Sequence, residues 1–195
     1  MLMVDADLSL PPEPFRSRYI LAQPADTRAH ERAYYALRRQ VFAVEQGLFE
    51  VDDRDLHDAE AIPLVALSTC AGMPDEVVGV VRIYVDRADG ALDVWYGGRL
   101  AVARSYRRYA EVGAALIRAA VGAARGLGAQ RFYATVQQAN VPYFVQHQFR
   151  SLHAVSICGQ PHQLMEADLA AFAIPAWVLG VCGVSGLRLP SRRAA

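Results

Sequence analysis

Lysine is missing from this chain: all twenty basic residues among the 195 are arginines. That absence excludes Schiff-base lysine chemistry and a phosphate loop of the G-x-x-x-x-G-K-[ST] type. Cysteine is scarce. Cys70, Cys158 and Cys182 are far apart, odd in number and form no C-x-x-C pair. No disulfide framework is expected, and a reducing cytoplasm is the simple setting. Neither sign of charge is in excess, since twenty acidic residues balance the arginines at net charge +0. Without a global basic field, neither nucleic acid nor an anionic membrane is an expected partner, and any electrostatic function must be local. No basic n-region opens the chain, so no signal peptide is expected. His30, His57, His147, His153 and His162 show no HxH or HxxxH spacing and do not cluster with cysteine. No metal site is expected. A G-x-S-x-G elbow is also missing, which removes support for serine hydrolase chemistry.

What is present is a globular composition, 53% hydrophobic and 21% charged. A chain of this length suits one domain and can bury roughly 70% of its unfolded surface. Pro11, Pro12 and Pro14 mark residues 1–16 as an extended leader. The domain is expected over 17–170, followed by an apolar tail, 171–195. Residues 169–187 carry no charge, but Pro175, Gly180, Gly183 and Gly186 interrupt them. Docking or loose packing of the tail is expected rather than a membrane span.

Along the domain, residues 18–23 read as a first strand. Tyr34, Leu37, Val41, Val44 and Leu48 recur at helical spacing and predict an amphipathic helix over 28–46, stopped at Gly47. An acidic loop follows, then a hairpin of strands 62–69 and 76–84. Asp89-Gly90 signals another turn before a strand over 91–103, in which Gly97-Gly98 suggests a bulge or a close backbone approach. A helix over 107–126, a strand at 132–136, a short helix at 140–147 and a closing pair at 149–158 and 163–169 complete the order. Strands in a run before alternating elements predict an α+β fold, a mixed twisted sheet flanked by helices.

Two segments carry chemistry. In residues 100–120 an apolar strand runs into a turn with Arg104, Arg107 and Arg108, and the turn opens a helix. Unpaired amides, the helix dipole and guanidinium groups together suit a pyrophosphate, and Gly113 would permit close approach. The same arginines could equally be solvated charges. The second segment is 45–60, where Glu45, Glu50, Asp52, Asp53, Asp55, Asp58 and Glu60 against Arg54 leave a local charge of −6. It could attract a cationic substrate, or simply be solvated and pair with Arg38, Arg39 and Arg82.

The strand Leu100-Ala101-Val102 and the run Arg108-Tyr109-Ala110-Glu111-Val112-Gly113-Ala114 resemble the acetyl-CoA motif of the Gcn5-related N-acetyltransferase superfamily, with Glu111 where a glycine usually stands. A second motif of that superfamily is similar to Asn140-Val141-Pro142-Tyr143-Phe144 leading to Gln148-Phe149. Phe144 replaces the usual tyrosine and Gln148 the usual glycine. The segments 95–102 and 136–144 look most like a small bacterial subgroup associated with nitrilase-type gene clusters. The resemblance implies the acyl-CoA N-acyltransferase fold and acetyl transfer from acetyl-CoA to a small-molecule acceptor, an amine. It implies CoA contacts at Leu100, Ala101, Val102, Arg107, Arg108, Tyr109, Ala110, Glu111, Val112, Gly113, Ala114, Asn140 and Phe144. Acceptor contacts would come from Arg38, Phe42, Asp55, Asp58, Arg82 and Tyr96. Glu45, Asp93 and Tyr96 are candidate bases, and His147 or Tyr143 candidate acids. Formation of a homodimer is left open.

Arg38-x-x-x-Phe42, the spaced aspartates, Arg82, Trp95 and Arg99 also resemble acyl-homoserine-lactone synthases, although Tyr96 replaces their glutamate and Leu48 stands near their tryptophan. A non-catalytic acyl-CoA-binding module is a further alternative.

Overall fold

The computed structural model describes residues 19–70, 73–85, 93–108, 110–157 and 159–180. The leader, the Asp89-Gly90 turn, Tyr109, Cys158, Cys182 and the end of the tail lie outside the described residues. Strands β1 (Ile20–Pro24), β2 (Ile62–Cys70), β3 (Met73–Val85), β4 (Val94–Val102), β5 (Arg131–Gln137), β6 (Phe149–Ile157) and β7 (Gln160–Ala167) form one seven-stranded sheet. Its order is β1-β2-β3-β4-β5-β7-β6, and only β4 and β5 run parallel. Helices α1 (Arg28–Arg38), α2 (Ala110–Gly126) and α3 (Val141–Gln146) flank it. The expected α+β mixed sheet is found.

Thr27 caps α1, its hydroxyl accepting from the His30 amide at 3.0 Å. The predicted helix over 28–46 is one helix of two kinds. From Arg39 to Glu45 it widens into a π-helix, with the Gln46 amide bonding back to the Val41 carbonyl. Gly47, at φ 62°, ends it in the left-handed region. The sheet separates two cores. Tyr34, Val41 and Phe42 pack against Val65, Leu67 and Val80 on one face. On the other, Val112, Leu116, Ala120 and Val121 of α2 pack against Leu64, Val78, Ile83 and Phe132.

The bulge expected at Gly97-Gly98 falls one residue later. Val80 pairs with Ala101 and Arg82 with Gly98, so Arg99 and Leu100 together oppose Val81. Arg99 carries the positive φ, 55°. Gly97 serves the close approach instead: a Cβ there would lie 2.8 Å from the Phe132 ring.

The first part of the tail is packed. Phe172 and Trp177 are buried in the α2 core, and the Phe172 carbonyl accepts from Arg125. A Cβ at Gly122 would come within 2.2 Å of the Ala173 carbonyl oxygen. Gly122→Ala would help an isolated helix by up to about 1 kcal/mol, but here it must push the tail off α2. A net loss of roughly 1–3 kcal/mol is expected. Thermal unfolding checks it, and a raised Tm would show that the tail is not seated there. No helix among the described residues is long and apolar enough to cross a membrane.

Candidate active site

The site follows from where β4 and β5 part. Their ladder holds at Val94↔Arg131, Trp95↔Phe132, Tyr96↔Tyr133 and Gly97↔Ala134, and no pair follows. The bulge at Arg99 turns β4 away from β5 at that point. A cavity of about 490 Å³ occupies the opening.

A cluster of ion pairs fixes the bulge. Arg38 is fully buried. Its Nε donates to Asp53 at 2.9 Å, and its Nη2 donates to Asp58 at 3.0 Å. Tyr34 Oη accepts from Arg38 Nη1 at 2.9 Å, and burial pushes the Tyr34 hydroxyl up to about 12. Arg82 is bidentate to Asp55, at 2.7 and 2.6 Å, and also meets Asp58 at 2.9 Å. Arg99 reaches Asp53 at 2.9 Å and Asp55 at 3.1 Å. Three arginines thus share three aspartates. The left-handed conformation of a non-glycine residue at Arg99 is unfavourable alone, and these bonds over-determine it.

The arrangement changes the meaning of the acidic loop. Three arginines brought from α1, β3 and β4 meet half of its −6 charge: the expected pairing is found for Arg38 and Arg82, whereas Arg39 donates to the Val51 carbonyl and Arg99 takes part instead. Asp55 and Asp58 also cap a short 3-10 turn, Leu56–Ala59, through a reciprocal capping box. Burial alone would raise the Asp58 carboxyl. Bonds from Arg38 and from the Asp55 amide outweigh it and hold the group well below the usual carboxylate range. Asp55 is lowered too, burial being overcome by Arg82 and Arg99. A depressed carboxylate contributes stability above its unfolded value of about 4, and that stability is lost as pH falls through the lower folded value. Tm should therefore hold from neutral pH to about 5 and fall below about 4. An unchanged Tm at pH 3 would contradict the cluster.

Side chains alternate along a strand, so Arg82, Tyr84, Tyr96 and Tyr133 share the α1 face. His57 stacks on Tyr84 with ring centres 4.3 Å apart, Tyr84 on Tyr96 at 5.7 Å, and Tyr96 meets Tyr133 at 5.5 Å. His57, Tyr84 and Tyr96 line the cavity. Gln160 and His162 of β7 close it from the other side.

The expected site residues fall into three groups. Phe42, Asp55, Arg82, Tyr96, Leu100, Asn140 and Phe144 line the cavity. Asn140 begins α3 without a side-chain capping bond. Ala101 and Val102 continue β4 past the bulge. Arg107, Arg108, Ala110, Glu111, Val112, Gly113 and Ala114 form the turn into α2, where Arg108 and Glu111 are exposed while Val112 and Ala114 are buried. Arg107 donates to the Val102 carbonyl at 2.9 Å and to Glu45 at 2.6 Å. Glu45 is thereby tied to the turn and does not line the cavity.

The rest stand apart from it. Arg38 and Asp58 lie in the ion cluster beneath the wall. Asp93 sits at the far end of β4, its carbonyl accepting from the Gln130 amide. Tyr143 faces α2: a Cβ at Gly113 would lie 2.6 Å from its hydroxyl oxygen. The small residue at Gly113 therefore makes room for Tyr143. His147 packs edge-on against Tyr143 at 4.5 Å. Burial and then Arg118 lower its pKa, which makes it a weaker acid-form reservoir. Neither Tyr143 nor His147 lines the cavity.

His57, Tyr84 and His162 do line it, and sequence patterning did not mark them as site residues; Arg99, named only in the synthase resemblance, lines it as well. The histidines form no metal spacing, and nothing local announces that a loop histidine stacks on a strand tyrosine.

These strands, the arginine turn and the helix agree with a known pattern. Residues 24–144 match the acetyltransferase (GNAT) family. The chain belongs to that family. Its acyltransferase fold is also seen in solved structures. A protein from Lactobacillus plantarum described as an N-acetyltransferase superposes with a TM-score of 0.66 at 22% identity, covering 77% of this chain and 98% of the other. Escherichia coli ElaA gives 0.61 at 20%, covering 77% and 99%. The CoA-dependent acyl-homoserine lactone synthase BjaI, solved with S-adenosylmethionine and isopentyl-CoA, gives 0.58 at 17%, covering 77% and 82%. No curated protein sequence matches the chain significantly. The matched residues include the parallel β4/β5 pair in the middle of the sheet.

Proposed function

We propose that this protein moves the acyl group of an acyl-CoA, acetyl-CoA being the simplest donor, directly to the nitrogen of a small amine. The observation that carries the reading is the parting of β4 and β5 over a cavity. Beyond Gly97 the β5 side of β4 has no ladder partner. An extended, amide-bearing pantetheine can pair with such an edge at Leu100 and Val102. The diphosphate then lies over the turn 107–114, where helix amides and the Arg107 and Arg108 guanidinium groups meet it. Glu111 in the first turn of α2 is exposed, so its carboxylate can stay in solvent. Asn140 and Phe144 flank the thioester.

The acceptor enters on the α1 face, along Tyr84 and Tyr96. Its nitrogen must lose a proton before attack, and His57 is placed to take it, with an exposed rim that passes it to water. The carbon–nitrogen bond forms as the carbon–sulfur bond breaks, and the electron pair leaves on sulfur. The bulge takes one amide out of the β4 ladder, which supplies a donor toward the thioester oxygen. Phe144 offers no proton, so water protonates the departing thiolate.

Incubation with acetyl-CoA and a panel of amines tests the reading. Free CoA thiol should appear together with an amine heavier by one acetyl group. CoA binding with no product from any amine would leave only a binding module.

A second reading has its own support. Asp55 and Arg99 set opposite charges at the cavity wall beside the tyrosines, a place suited to the zwitterionic end of S-adenosylmethionine. An acylated product formed from that compound, and from no simple amine, would favour it.

A further inference from the structure

The cavity of about 490 Å³ is larger than a two-carbon acetyl group requires. Past the parted strands it continues to the α2 face, where Ile117, Ala120, Val121, Phe132, Val136 and Phe149 line it. All six are buried and belong to the apolar core. The Phe132 ring lies directly beneath Gly97, where the strands begin to part. No charged side chain lines this part. An apolar chamber of this kind holds water poorly and takes an apolar occupant. It adjoins the strand gap, where the thioester carbon sits in the proposed function.

Resting on that reading, we infer that the chamber is an acyl-chain pocket, and that the preferred donor carries a medium-length aliphatic acyl group rather than acetyl. The α1 face cannot serve this purpose. Its wall of Asp55, Arg82, Arg99 and His57 is polar and suits the acceptor. The aliphatic chain instead descends just beyond the Gly97–Ala134 pair, where the strands part, toward Val121, with its thioester left at the level of the bulge. Each methylene that leaves water for this chamber should strengthen binding about fourfold, following roughly 0.8 kcal/mol per buried CH₂.

Calorimetric titration of free CoA, acetyl-, butyryl-, hexanoyl- and octanoyl-CoA into the wild-type protein tests the inference. Affinity should rise stepwise from acetyl-CoA until the chamber is full, then level or fall. Val121→Phe narrows the chamber. It should remove the gain for hexanoyl-CoA and leave free CoA bound as before. Retained CoA binding shows that the variant is folded, and the wild-type series decides alone if it is not. If free CoA binds and chain length changes nothing, the chamber takes no acyl chain and the inference is overturned while the donor reading stands. If free CoA fails to bind, both fall.

Discussion

Replacing Arg38 with methionine should lower the unfolding free energy by about 3–5 kcal/mol, because it leaves the carboxylates of Asp53 and Asp58 buried without their main partner. Arg38 is wholly enclosed, and Asp53 nearly so. Methionine can fill much of the volume, so the loss comes from charge rather than from a void. For a chain of this size it corresponds to a fall in Tm of roughly 6–20 °C. The damage should extend to the site. Asp53 is shared between Arg38 and Arg99, so a displaced loop relaxes the clamp on the bulge. Weaker acyl-CoA binding should accompany the lower Tm. A loss under 1 kcal/mol would mean that the cluster is solvated and contributes little, as surface ion pairs do.

The second large effect concerns the proton. His57→Gln should reduce kcat by roughly 10²–10⁴, the usual worth of a general base. Acyl-CoA affinity should change little, because His57 stands on the α1 face, away from the arginine turn. Tyr96→Phe is the comparison. It keeps the ring stack with Tyr84 and removes only the hydroxyl, so a much smaller loss is expected. Equal losses in both variants would assign the base to Tyr96. Wild-type kcat in the His57 variant would remove the imidazole from the mechanism.

Much of the fold was legible from periodicity. Apolar spacing placed α1 and α2, and Val- and Ile-rich runs with turn residues between them placed the sheet. The motifs at 100–114 and 140–149 pointed to the family that the match over 24–144 then showed. The site was less legible, for identifiable reasons. Whether Asp55 and Asp58 face solvent or arginine depends on Arg82 and Arg99, which come from strands far along the chain. The π-helical end of α1 carries Glu45 to Arg107, a pairing that helical spacing does not predict. Gly113 fits a phosphate loop by sequence, yet it is the Tyr143 ring that sits against it. Helix spacing also put His147 near the face of Phe144. The ring packs instead on Tyr143, four residues back, which does not line the cavity.

The central claim is that the gap between β4 and β5 holds an acyl-CoA. Its most direct test is a calorimetric titration of acetyl-CoA into three proteins. Thr135 is exposed on β5 and lines the cavity, so Thr135→Trp obstructs the gap without entering the core. Arg108→Ala removes charge from the turn. The wild type should bind one equivalent. The Arg108 variant should bind roughly 10- to 150-fold more weakly, as loss of a charge-assisted bond of about 1.5–3 kcal/mol requires, and Thr135→Trp should show no binding in the same range. Equal affinity in all three proteins would contradict the claim.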